Sequence, residues 1–130
     1  MNEKRPLSVV PVSVVPVSVV PVSVVIVACV YIAVGVVAFA FYFPELLKGQ
    51  QDAVWMELTE LLAIVSGVFL LRRQNWARWL ALAWIAFHVA ISVFHPVREL
   101  VMHSVMCVVI GWVLFRPAAG RWFREVQGGV

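Results

Sequence analysis

Four long apolar stretches, separated by short polar breaks, leave this 130-residue chain few ways to fold. They cover residues 22–43, 54–71, 77–94 and 97–115. At about 1.5 Å of rise per residue, a helix over each crosses a hydrocarbon core about 30 Å thick, the shorter ones with little to spare. The expected fold is therefore all-α: four transmembrane helices in an up-down bundle of two hairpins. Its cationic residues give it a direction. Lys4 and Arg5 precede the first stretch, Arg72, Arg73 and Arg78 flank the second connection, and Arg116, Arg121 and Arg124 follow the fourth. Of the 10 Lys and Arg residues, only Lys48 and Arg98 fall on the opposite side. The positive-inside rule then predicts both termini and the middle connection in the cytoplasm.

Composition agrees: 63% of residues are apolar and 13% charged, against about 25% charged in a soluble domain. At this length there is room for one bundle and no separate soluble domain. The net charge of +3 comes from the cytoplasmic flanks, where it attracts anionic headgroups. The six arginines at 72, 73, 78, 116, 121 and 124 are expected to face lipid there. No basic stripe interleaved with stacking aromatics points to nucleic acid. Cys29 and Cys107 fall inside apolar stretches at different depths, which argues for small apolar packing residues rather than a disulfide.

The chain divides into a lead-in over 1–21, a membrane domain over 22–115 and a basic tail over 116–130. In the lead-in, Pro6-Leu-Ser-Val-Val precedes three copies of Pro-Val-Ser-Val-Val beginning at Pro11, Pro16 and Pro21. A proline every fifth residue removes a backbone donor each time and disfavours an unbroken helix. The first helix is expected to start after Pro21 and to be retained as a signal anchor, with the repeat as a tolerated duplication. Further on, Pro44 is expected to stop the first helix before a polar outer loop over 45–52. The connections 72–78 and His95-Pro96 are short enough to force antiparallel neighbours. Trp76 and Trp79 mark the inner interface, Tyr42 and Trp55 the outer one. Ala63 with Gly67, and Ala86 with Ala90, are small residues at four-residue spacing that would let helices approach closely.

Six ionisable side chains enter the stretches from the outer end. Glu57 and Glu60 lie on the second helix, His88 and His95 on the third, Glu99 and His103 on the fourth. Helical rise puts Glu60, His88 and His103 at one level, on the order of 10 Å inside the outer boundary, with Glu57, His95 and Glu99 as a tier above. Such groups cost roughly 3 kcal/mol each in the membrane and normally face the bundle interior with partners. Carboxylate and imidazole together can ligate a metal, with Glu60, His88 and His103 as ligands. The two histidines could instead ligate a haem, or the groups could exchange protons, since histidine titrates near neutral pH. The plainer expectation is a buried Glu60–His103 or Glu60–His88 hydrogen bond that pins the bundle. Phosphate-binding loops and nucleophile–base pairs are absent from the sequence.

The arginine-rich turn with Asn75-Trp-Ala-Arg78 opening a helix resembles a segment of small bacterial four-helix membrane proteins, and the layout is similar to that of DoxX-like proteins. The resemblance covers the second half of the chain. It implies a bacterial inner membrane and brings no catalytic residues with it. The expected function is that of a small multipass membrane protein without catalysis, an accessory or assembly protein working with a membrane-protein partner or as a homo-oligomer. The alternative is an outward-facing metal, haem or proton site built on Glu60, His88 and His103.

Overall fold

The computed structural model describes residues 21–124, which form five helices and no strand. They are α1 (Val22–Leu47), α2 (Gln51–Leu71), α3 (Asn75–Ser92), α4 (Val97–Phe115) and a short α5 (Pro117–Arg124). The repeat before Pro21, and residues 125–130 of the basic tail, lie outside the described residues. α1 runs through Pro44 rather than stopping at it. The ring removes one hydrogen bond, but it does so in the last turn, where few bonds remain to be lost. The stop comes instead at Gly49, whose left-handed φ of 74° lets its N–H donate to Leu46 O (3.0 Å) and that of Gln50 to Glu45 O (3.4 Å). The end of α2 repeats this geometry with an arginine. Arg73 holds φ 60°, its N–H donates to Leu70 O and that of Gln74 to Phe69 O, both at 3.0 Å.

α1 and α2 pack backbone to backbone where glycine removes the side chain. A Cβ added at Gly35 would stand 2.8 Å from the Glu60 carbonyl oxygen, and one at Gly67 would stand 2.6 Å from that of Ala28. The two contacts run in opposite chain directions, so the helices are antiparallel. Ala53, Glu57, Glu60, Ala63, Gly67 and Leu70, spaced three and four apart, are the buried stripe of α2. α3 and α4 are antiparallel too: Trp79 meets Phe115 with rings 4.6 Å apart at one end, and Ser92 meets His103 at the other. α2 and α3 meet at Phe69–Trp76 (4.8 Å) and where Trp84 Nε1–H donates to Thr59 O (2.7 Å). Tyr31 of α1 reaches the centre, donating its hydroxyl to Ala81 O at 2.7 Å. Ala63 and Gly67 are in the core, whereas Ala86 and Ala90 are exposed, because α3 turns Ala77, Ala81, Ile85 and Ser92 inward instead.

The outside of the bundle is apolar. Phe94 is 90% exposed, and Phe41, Val97 and Trp112 are largely so. A belt of this kind belongs against lipid or another apolar surface. α1, α2 and α4 are long and apolar enough to cross a membrane. The 18-residue α3, with Asn75, Arg78 and His88, is less apolar than those three.

The basic end departs from a simple lipid-facing ring. Arg78 is 8% exposed, lies over the rings of Phe115 (4.4 Å) and Phe123 (5.2 Å), and donates to Asn75 Oδ1 at 2.9 Å. Arg73 donates through Nε (3.2 Å) and Nη2 (2.7 Å) to Trp122 O and stacks over the indole at 4.8 Å. Arg116 is half-buried and donates to Ser23. Arg72, Arg121 and Arg124 are exposed. The flat, weakly hydrated guanidinium stacks on aromatic rings, so α5 tucks Trp122 and Phe123 under the bundle and draws Arg73 and Arg78 inward with them.

Candidate outer-end site

The six ionisable residues at the end of the bundle away from the arginine cluster separate into three groups. On the α3–α4 edge, His95 Nδ1 lies 3.6 Å from Glu99 Oε2, one turn apart in sequence across the connection, and both side chains are partly exposed. Glu57, the third residue of the expected upper tier, is not part of this contact and lies on the buried face of α2. The His95–Glu99 pair is a surface contact at the helix ends, of the kind worth little in stability.

The second group joins α3 to α4. His88 Nδ1 is 2.9 Å from Trp84 O; a carbonyl only accepts, so Nδ1 carries the proton and donates. Ser92 Oγ–H donates to His88 O at 2.7 Å, and its oxygen then accepts from His103 Nδ1–H, also at 2.7 Å. In neutral rings both Nε2 atoms therefore carry the lone pair. The imidazoles lie with centroids 5.9 Å apart, and His88 packs on the Trp84 indole at 4.0 Å. Ser92 is 3% exposed, so these bonds are shielded from water.

The third group is on α2. Glu57 is 4% and Glu60 9% exposed, both on the stripe that faces the bundle. Neither Glu57 oxygen, nor Glu60 Oε2, has a hydrogen-bond partner among the described residues. The stripe that packs α2 on α1 fixes the carboxylates there: Gly35 brings α1 against the backbone at Glu60 itself. Glu60 meets His88 at a cleft of about 280 Å³ lined by Tyr42 of α1, Trp55, Met56, Thr59 and Glu60 of α2, and Phe87, His88 and Ile91 of α3.

The level shared by Glu60, His88 and His103 is thus assembled in part. His88 touches both neighbours, the imidazole of His103 and the cleft of Glu60. The expected Glu60–His88 or Glu60–His103 hydrogen bond is not formed, because Trp84 O and Ser92 have taken the Nδ1 protons. Among the described residues no three His, Cys, Asp or Glu side chains gather closely enough to hold a metal ion. The rings of His88 and His103 are inclined at 45° to one another across the α3–α4 contact. What the arrangement offers is a pair of shielded carboxyls beside linked imidazoles at the mouth of an aromatic cleft. Cys29 and Cys107 are both free thiols.

Two central residues escaped sequence reasoning, Tyr31 and Trp84. Each is a polar-tipped aromatic in mid-helix rather than at an interface, and that misplacement is the signal that marks them as helix-to-helix donors. Comparison with protein-family models, with characterised proteins and with solved structures finds no match for this chain.

Proposed function

We propose that the chain is a non-catalytic, four-span protein of the bacterial inner membrane, with both termini cytoplasmic, whose outward end carries a protonatable site. α3 is the span that composition leaves in question. It lies antiparallel between α2 and α4, two helices able to cross, and short turns join it to both. At 18 residues it rises about 27 Å, so it returns the chain to the opposite face before α4 begins. The arginines at 72, 73, 78, 116, 121 and 124 and the Lys4-Arg5 pair then mark one face as cytoplasmic. Reporter fusions test this: a cytoplasmic reporter is active after Gln74 and at the C-terminus, and an exported one after Gly49 and Pro96. Activity of the exported reporter after Gln74 refutes it.

Glu60, with His88 and His103 beside it and Glu57 one turn away, is the proton-exchanging group. The observation that carries this reading is the pair of buried carboxyls with three oxygens lacking partners, next to an imidazole that opens to a cleft. A group that merely pinned two helices would have its bonding capacity filled. The test is a pH titration of isotope-labelled histidine and glutamate side chains by NMR in lipid nanodiscs. Glu60→Gln moves the midpoint of His88; a His88 curve that does not respond refutes the coupling.

An accessory or assembly role is the second reading, on which the Ser92–His103, Tyr31–Ala81 and Trp84–Thr59 bonds serve to join helices. On that reading Glu60→Gln changes stability slightly and leaves every titration curve in place.

A further inference from the structure

The cleft at Glu60 has a wall chemistry that proton exchange does not require. Tyr42, Trp55 and Phe87 put aromatic surface around it, Met56 and Ile91 add apolar surface, no Lys or Arg lines it, and the imidazole of His88 on its wall has its Nδ1 proton on Trp84 O. Its acidic group, Glu60, is 9% exposed with Oε2 unpartnered. Thr59 has spent its hydroxyl proton on Met56 O at 2.7 Å, so it offers an oxygen and no free donor. A site rich in ring faces, with one carboxylate and few donors, selects against anions. It is also poor for a metal ion, which asks for several oxygen or nitrogen ligands converging at short range. An ammonium with apolar substituents satisfies both parts. Ring faces attract a cation within about 6 Å of their centroids, most strongly for tryptophan. A carboxylate removed from water attracts the same charge more strongly than an exposed one would. The volume of about 280 Å³ falls just below that of drug-sized sites, which run from about 300 to 1,000 Å³, and so suits a small ligand.

We infer that this cleft binds a small organic ammonium bearing apolar groups, with the charge on Glu60 and the substituents against Trp55, Tyr42 and Phe87. The inference rests on the reading of Glu60 as an exchangeable site, and it names the cation that exchanges there with the proton. Two sources supply this chemistry: a free amphiphilic amine or quaternary ammonium, and the choline-type headgroup of a neighbouring lipid. In the first case the cleft takes up a solute from the outer side; in the second it fixes a lipid.

The test uses the full chain in nanodiscs of phosphatidylglycerol and phosphatidylethanolamine, titrated with benzyltrimethylammonium and, separately, with its uncharged carbon analogue neopentylbenzene, read by quenching of tryptophan fluorescence. The ammonium is expected to bind at least about tenfold more tightly than the neutral analogue. Glu60→Gln removes that preference, and Trp55→Ala weakens the ammonium while leaving the fold intact by circular dichroism. In nanodiscs of equal phosphatidylglycerol content, with phosphatidylcholine in place of phosphatidylethanolamine as the remaining lipid, a loss of apparent affinity identifies the lipid headgroup as occupant, and an unchanged affinity identifies the free solute; both support the site. Equal binding of the two probes, no binding to folded protein, or full preference retained in Glu60→Gln overturns it. The His88 titration separates the two failures. If it still responds to Glu60→Gln while the ammonium does not bind, the proton site stands and the ligand assignment falls.

Discussion

Replacing Gly67 with alanine tests whether α1 and α2 are held at contact distance by their glycines. The added Cβ would stand 2.6 Å from the Ala28 carbonyl oxygen and from Ile32 Cγ1. Ordinary van der Waals contact begins near 3.4 Å, so the atoms are about 0.8 Å too close. The isoleucine end can rotate away, but the carbonyl is backbone inside a helix, and relief requires the helices to separate. That separation also loosens Gly35, two turns along α1, where an added Cβ would stand 2.8 Å from Glu60 O. Overpacking of this kind costs about 1–3 kcal/mol. The chain supplies its own control: a Cβ at Gly111 would meet only Leu82 Cδ1, at 3.5 Å. Gly111→Ala should therefore be neutral, or stabilising by up to about 1 kcal/mol from helix propensity alone. Equilibrium unfolding in mixed micelles, with denaturing detergent as the variable and tryptophan fluorescence as the readout, should separate the two variants by about 1–3 kcal/mol, since the propensity gain is common to both. If Gly67→Ala proves as stable as Gly111→Ala, the close α1–α2 contact is wrong. Gly35→Ala should behave like Gly67→Ala and in addition disturb the cleft, because the oxygen it strikes belongs to Glu60.

Three further substitutions probe the ends. Arg78→Ala should lower stability by about 2–3 kcal/mol, since it removes a buried side chain stacked on Phe115 and Phe123, and Arg78→Met should lose roughly half as much because it keeps the stem; thermal unfolding that ranks the two equally would contradict the stacking. At Arg73, which holds a left-handed backbone, alanine should be worse than glycine by about 1 kcal/mol, although both lose the bonds to Trp122 O; the reverse order would mean the turn differs. Ser92→Ala should cost about 1 kcal/mol and change the nitrogen NMR shifts of His103, whose Nδ1 proton it accepts. Unchanged shifts would show that the bond does not exist.

These tests bear on how far the sequence could be read. The long helices and the breaks between them are legible because apolar runs, glycine and short polar turns act locally. The passage of α1 through Pro44 is local too: the ring removes one bond, to the carbonyl four residues back, and only three helical residues follow to feel any bend. What pattern could not decide is which polar residue meets which. Helical rise placed Glu60, His88 and His103 at one level, but rise gives depth and says nothing of rotation. Rotation turned His103 toward Ser92, and the backbone carbonyl one turn back, at Trp84, accepts the His88 Nδ1 proton. Arg73 and Arg78 leave the expected lipid-facing ring for a related reason. A charge count assigns a side of the membrane, yet it is blind to whether aromatic surface waits beneath, and Phe115, Trp122 and Phe123 draw Arg73 and Arg78 inward. The same blindness hid the cleft. Trp55 and Tyr42 read as interface anchors because that is where amphipathic rings settle, and only the approach of α3 to α2 converts those rings, with Phe87 and Glu60, into walls of one site. A ring placed at the interface for solvation is thereby available for recognition, and the carboxylate one turn further along α2 decides the sign of what it recognises.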